Sequence, residues 1–217
     1  MLRTFELLVA VGPIAMYLVL VGLINLRRRP YVLTGARESM LVGLALSGLA
    51  LVGPMELFFP QQAANQFGSY VWLMLLVFYC LLLLLWILVA RPRLVVYNVS
   101  SGQLRAALSE AALKVDPEAR WAGDCLALPR LNVQLHLDMF DTMRNVALIS
   151  TGSDQNYTNW RRLEGALRGV LDEIVVPRNP RGYSFVVVGS LLLAGLIMKA
   201  VQNPEAIAQG LLHLLRL

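Results

Sequence analysis

Between Tyr70 and Ala90 the chain reads YVWLMLLVFYCLLLLLWILVA and then turns abruptly polar at Arg91-Pro92-Arg93. A charge-free stretch of about 20 residues, rising about 1.5 Å per residue, matches a hydrocarbon core about 30 Å thick. This run has no glycine, proline or charge and is apolar all round, so it offers bulk to lipid rather than a tight face to another helix. Three further runs share its character: Leu7 to Leu26, Met40 to Phe59 and Tyr183 to Val201. Together they predict a membrane α-helical protein with four transmembrane helices, over 7–26, 40–59, 70–90 and 183–201. The polar stretch 91–182 is inserted between the third and the fourth. Only 15% of residues are charged and the mean hydropathy is +0.60, which a water-soluble domain does not reach.

Charge sets the expected orientation. The connection Arg27 to Glu38 holds Arg27, Arg28, Arg29 and Arg37 against one acid, whereas Pro60 to Ser69 holds no charge. Positive residues stay on the cytoplasmic side, so the first connection and domain 91–182 are expected inside and both termini outside. The first apolar run is too long for a cleaved signal, and its positive cluster follows the run instead of preceding it. A bacterial inner membrane fits these features. The net charge of +5 is concentrated in membrane-proximal loops, so the partner it implies is the lipid bilayer and not nucleic acid. Cys80 falls in the third run and Cys125 in the domain, which leaves no disulfide or cysteine zinc framework. Two glycosylation sequons, Asn98-Val-Ser and Asn156-Tyr-Thr, fall on the side expected to be cytoplasmic and read as chance occurrences.

Within the second run Gly43, Ser47, Ala50 and Pro54 recur at helical spacing as a stripe of small residues. Such a stripe lets another backbone approach closely, from the same bundle or from a second copy in a homo-oligomer. Glu6, Glu56 and Lys199 form an intramembrane charge cluster toward the outer ends of their runs, where Glu56 and Lys199 have the depth to pair. The tail 204–217 separates Glu205, Gln209, His213 and Arg216 from a leucine-rich face. This predicts an amphipathic interfacial helix.

The inserted segment predicts a small α+β domain, a β-α-β-β-β-α two-layer sandwich. Leu94 to Val99 reads as a strand, and Ser100 with Gln103 has capping-box spacing before a helix that reaches Val115. Strands follow at Ala122 to Leu128, Leu131 to Phe140 and Val146 to Ser150, then a helix from near Ser153 that carries Trp160, Leu163, Leu167, Val170 and Leu171 on one side. In the middle strand Leu131, Val133, Leu135, Leu137 and Met139 alternate with Asn132, Gln134, His136 and Asp138. Two helices cover only one face of the sheet, so the polar face is expected to be free to bind a partner.

No reactive constellation emerges. His136, Asp138 and Asp141 lack the spacing of a metal site, and the Ser100 turn lacks the glycine pattern of a phosphate loop. No cofactor is expected. The reading that accommodates most of these features is a non-catalytic integral membrane subunit whose cytoplasmic domain binds or positions a protein partner in a membrane complex. The alternatives are a transporter or channel component, resting on Glu6, Glu56 and Lys199, and a membrane-bound enzyme or ligand sensor using the Ser100 turn or the His136 face.

Overall fold

The computed structural model describes residues 4–58, 70–140, 143–152 and 156–215, with side chains omitted at 54–58, 72, 211 and 213–215. Its elements run α1 (Thr4–Asn25), β1 (Tyr31–Thr34), α2 (Gly35–Phe58), α3 (Tyr70–Val89), β2 (Arg93–Tyr97), α4 (Ser101–Val115), β3 (Arg120–Ala122), β4 (Cys125–Leu128), β5 (Val133–Phe140), β6 (Asn145–Ser150), α5 (Tyr157–Glu173), α6 (Arg181–Gln202) and α7 (Pro204–Leu215). They form two compact units. One comprises Met1–Val21, Ser39–Val89 and Ser184–Leu217; the other comprises Gly22–Glu38 and Ala90–Tyr183.

The first unit is helical. Among the described residues three helices are long and apolar enough to cross a membrane, at Thr4–Asn25, Gly35–Gly53 and Arg181–Gln202, and α3 adds a shorter apolar stretch, Leu73–Val89. Large side chains along α3, among them Phe78, Leu81, Leu85, Trp86 and Leu88, are exposed, as are Met16 and Leu23 of α1 and Leu191 and Ile197 of α6. An apolar surface of this extent is stable against lipid rather than water. Small residues mark the contacts within the unit: Ala10 and Ala15 of α1 are buried. A Cβ at Gly48 of α2 would strike the carbonyl oxygen of Val9, and one at Gly189 of α6 would come within 2.9 Å of the Ala15 carbonyl oxygen. These are backbone-to-backbone approaches that only glycine permits.

The second unit is an antiparallel six-stranded sheet in the order β1-β2-β6-β5-β4-β3. This corrects the four-stranded expectation in two places. Tyr31 to Thr34, which reads as part of an arginine-rich connection, pairs with β2 from Tyr31 opposite Tyr97 to Thr34 opposite Leu94. The expected strand 122–128 is instead the β3–β4 hairpin, turned at Gly123 with a φ of +62°. A two-residue hairpin loop requires such a positive φ, which glycine adopts without strain.

One face of the sheet packs against α4 and α5. Leu104, Leu108 and Ala111 from α4 and Leu163, Leu167 and Leu171 from α5 join Val32, Val96, Leu126, Val133, Leu135 and Leu148 in one core. The Ser100–Gln103 capping box forms as the spacing predicts, and Asn156 caps α5 through the backbone N–H of Thr158. Asp116 ends α4, where its buried carboxylate accepts from the backbone N–H groups of Glu118 and Arg130. Each cap removes unsatisfied helix-end groups and stabilises the fold by about 1 kcal/mol.

Candidate functional site

The second sheet face is divided. Along β5 the side chains alternate buried and exposed, so Gln134, His136 and Asp138 point away from the core, and Phe140 at the strand end is 61% exposed. Asn132, just before the strand, is exposed and holds a φ of +49°. The cross-strand neighbours of Gln134, His136 and Asp138 on this face are small or apolar: Ala127 opposite Gln134, Cys125 and Ile149 flanking His136, and Ala147 opposite Asp138; Phe140 is opposite Asn145. Cys125 Sγ lies 3.5 Å from His136 Nδ1. Among the described residues no third histidine, cysteine or carboxylate completes a metal-binding group with them. Asp141 lies outside the described residues.

Toward β1 the same face is closed. Leu33, Val95 and Tyr97 are buried. Glu38, in the first turn of α2, binds Arg93 at 2.9 Å through one carboxylate oxygen and accepts from the Tyr97 hydroxyl at 3.0 Å through the other. The Arg93 side chain lies where a Cβ on Gly35 would fall. Residues Gly35 to Glu38 thus occupy the β1–β2 half of the face, while among the described residues the β4–β5 half has no comparable cover within this unit.

A second feature lies along the edge strand β1. Thr34 and Arg37 from the β1–α2 junction and Arg161, Glu164, Gly165 and Arg168 from α5 line a groove of about 380 Å³. Arg168 pairs with Glu164 at 2.6 Å and donates to the Val32 carbonyl at 3.3 Å, so it satisfies an acceptor on the open edge of β1. Its Nε is buried without a hydrogen-bond partner among the described residues.

A third feature is a hydrogen-bonded junction of buried asparagines. Asn179 donates through Nδ2 to Asn25 Oδ1 at 3.3 Å and to the Met143 carbonyl at 3.0 Å, and its backbone N–H donates to the Asn25 carbonyl at 3.1 Å. Asn98 donates to the Arg27 carbonyl at 2.6 Å, and the N–H of Val176 donates to the Arg28 carbonyl at 2.9 Å. The chain entering this unit before β1 and the chain leaving it before α6 are fastened to each other and to the sheet. In the sequence Asn25 is a single polar residue at the end of an apolar run, and its partner Asn179 carries no local signal.

Of the residues expected to pack helices, Gly43 accepts from the Tyr79 hydroxyl at 2.6 Å through its carbonyl, and a Cβ there would meet the Leu83 side chain at 2.6 Å. Ser47 donates to the Leu44 carbonyl of its own helix. Ala50 is half-buried, and the side chain of Pro54 lies outside the described residues. Of the charge cluster, Glu6 is half-buried in the first turn of α1 and Lys199 is exposed in the last turn of α6. The side chain of Glu56 lies outside the described residues, as does that of His213. The backbone amides at the Ser100 turn are engaged in its own cap, since Ser100 and Gln103 bond reciprocally.

No family model, curated protein or solved structure matches this chain.

Proposed function

We propose that this chain is a non-catalytic integral membrane subunit whose α+β domain holds a protein partner against the uncovered β4–β5 half of its sheet. The observation that carries the reading is the unequal treatment of one sheet face. Glu38, Arg93 and Tyr97 close it at β1–β2, while the side chains of Gln134, His136, Asp138 and Phe140 are solvent-exposed along β5. An aromatic ring among polar, hydrogen-bonding side chains is the composition of a protein interface more than of a solvated strand.

The membrane part of the proposal has four spans, with α3 as the third. Its 20 residues give a helix about 30 Å long, and the exposure of its leucines favours a lipid-facing role. The arginine contrast between residues 27–38 and 60–69 supports an inside location for the domain and an outside location for both termini. In a background with Cys80 and Cys125 replaced by alanine, a membrane-impermeant maleimide is expected to label Gln62→Cys in sealed cells. Ala106→Cys on α4 should react only after permeabilisation. The reverse pattern would overturn the orientation.

The docking reading is checked by purification from native membranes in mild detergent. His136→Glu combined with Gln134→Arg, and separately Phe140→Ser, should leave expression and thermal stability unchanged while depleting the proteins that accompany the wild-type chain. An identical accompanying set in all three preparations would return this face to solvent.

A further inference from the structure

We infer that the groove between the β1–α2 junction and α5 is a binding site for a phosphate-bearing anion. Three arginines, Arg37, Arg161 and Arg168, are among the residues that line a space of about 380 Å³, and the only carboxylate among the lining residues, Glu164, is already held by Arg168. Neither Arg37 nor Arg161 has a side-chain ion pair or hydrogen bond among the described residues. The groove therefore keeps an excess of positive charge, in a recess that side chains from two separate elements define.

Three further observations point to an anion with several oxygens. Arg168 Nε is a buried donor with no acceptor among the described residues, which costs about 1–3 kcal/mol unless an acceptor is supplied. The groove also takes in the start of α2, a helix of 24 residues whose first turn presents backbone N–H groups and the positive end of the helix dipole. Thr34 already meets one of these donors, the N–H of Arg37, at 3.4 Å. Finally, Gly165 sits in the interior of α5, and a Cβ there would touch nothing within 4 Å. A glycine in mid-helix costs about 1 kcal/mol relative to alanine. Packing does not require it, and a larger side chain at this lining position would fill the groove.

Guanidinium forks recognise phosphate oxygens in pairs, and two arginines from different elements, Arg37 and Arg161, line this one groove. Arg37 precedes Met40, where the apolar part of α2 begins, by a few residues. This favours the phosphodiester of an anionic lipid headgroup over a freely diffusing phosphate, although both share the chemistry.

The test uses the full chain in a neutral detergent. Short-chain phosphatidylglycerol, phosphatidylcholine of the same chain length and inorganic phosphate are titrated separately, with native mass spectrometry and thermal shift as readouts. Phosphatidylglycerol should bind at least about tenfold more tightly than phosphatidylcholine, and Arg37→Gln or Arg161→Gln should each weaken it by about tenfold. Gly165→Leu, which fills the groove without changing charge, should weaken it comparably. Arg162→Gln, a neighbouring arginine outside the lining, should not. Inorganic phosphate binding with the same variant dependence but without a lipid preference would keep the anion site and assign it to a soluble ligand. Equal losses in Arg162→Gln and Arg161→Gln, or no binding of any probe that Gly165→Leu reduces, would overturn the site.

Discussion

Leucine at Gly48 is expected to abolish recovery of a monodisperse protein in mild detergent. The reason is steric and admits no local remedy: a Cβ at Gly48 collides with the carbonyl oxygen of Val9, a main-chain atom of α1, so the helices themselves must separate. Overpacking that a flexible side chain can absorb costs about 1–3 kcal/mol, and a backbone clash exceeds that range. Gly43→Leu meets the end of the Leu83 side chain instead and should give a milder loss, while Gly53→Leu meets nothing within 4 Å and should behave as wild type. Size-exclusion profiles and unfolding temperatures of the three variants test the order. A Gly48→Leu protein as stable as Gly53→Leu would mean that α1 and α2 do not pack through this glycine.

The same example shows what sequence spacing could and could not reveal. The stripe Gly43, Ser47, Ala50 and Pro54 is a valid helical face, and Gly43 does receive a neighbour. The tightest approach nevertheless occurs at Gly48, one residue off that stripe, because α2 carries small residues on more than one side and periodicity does not tell which side meets a backbone. Strand β5 was legible because strict alternation from Val133 to Asp138 is a local pattern. Strand β1 was not: four residues after Pro30 carry no alternation long enough to read, and only pairing with β2, distant in sequence, makes them a strand. The arginine groove was illegible for the same reason. Arg161 reads as the polar side of an amphipathic helix until the fold brings Arg37 to the same recess.

Asn179→Leu should be the most damaging conservative-volume change in the α+β unit. Asn179 is 3% exposed and meets three separate chain segments at once, with Nδ2 on Asn25 and Met143 and Oδ1 accepting from the N–H of Arg181 at 3.1 Å. Leucine leaves the Met143 carbonyl and the Arg181 N–H without these partners in a water-poor setting. At about 1–3 kcal/mol for each unsatisfied group, the loss approaches half of the stability of an ordinary domain. Asn98 allows the backbone and side-chain contributions to be separated. Its φ is +58°, and its amide donates to the Arg27 carbonyl, so Asn98→Ala loses the bond and strains the backbone, whereas Asn98→Gly loses the bond alone. Denaturation in detergent, followed through Trp121 and Trp160, should rank Asn179→Leu as the least stable, then Asn98→Ala, then Asn98→Gly. The last two should differ by about 1 kcal/mol. If Asn98→Gly is no more stable than Asn98→Ala, backbone strain contributes nothing at this corner. If Asn179→Leu unfolds with wild-type midpoint and slope, the junction of residues 25–28 with 176–181 does not hold this unit together.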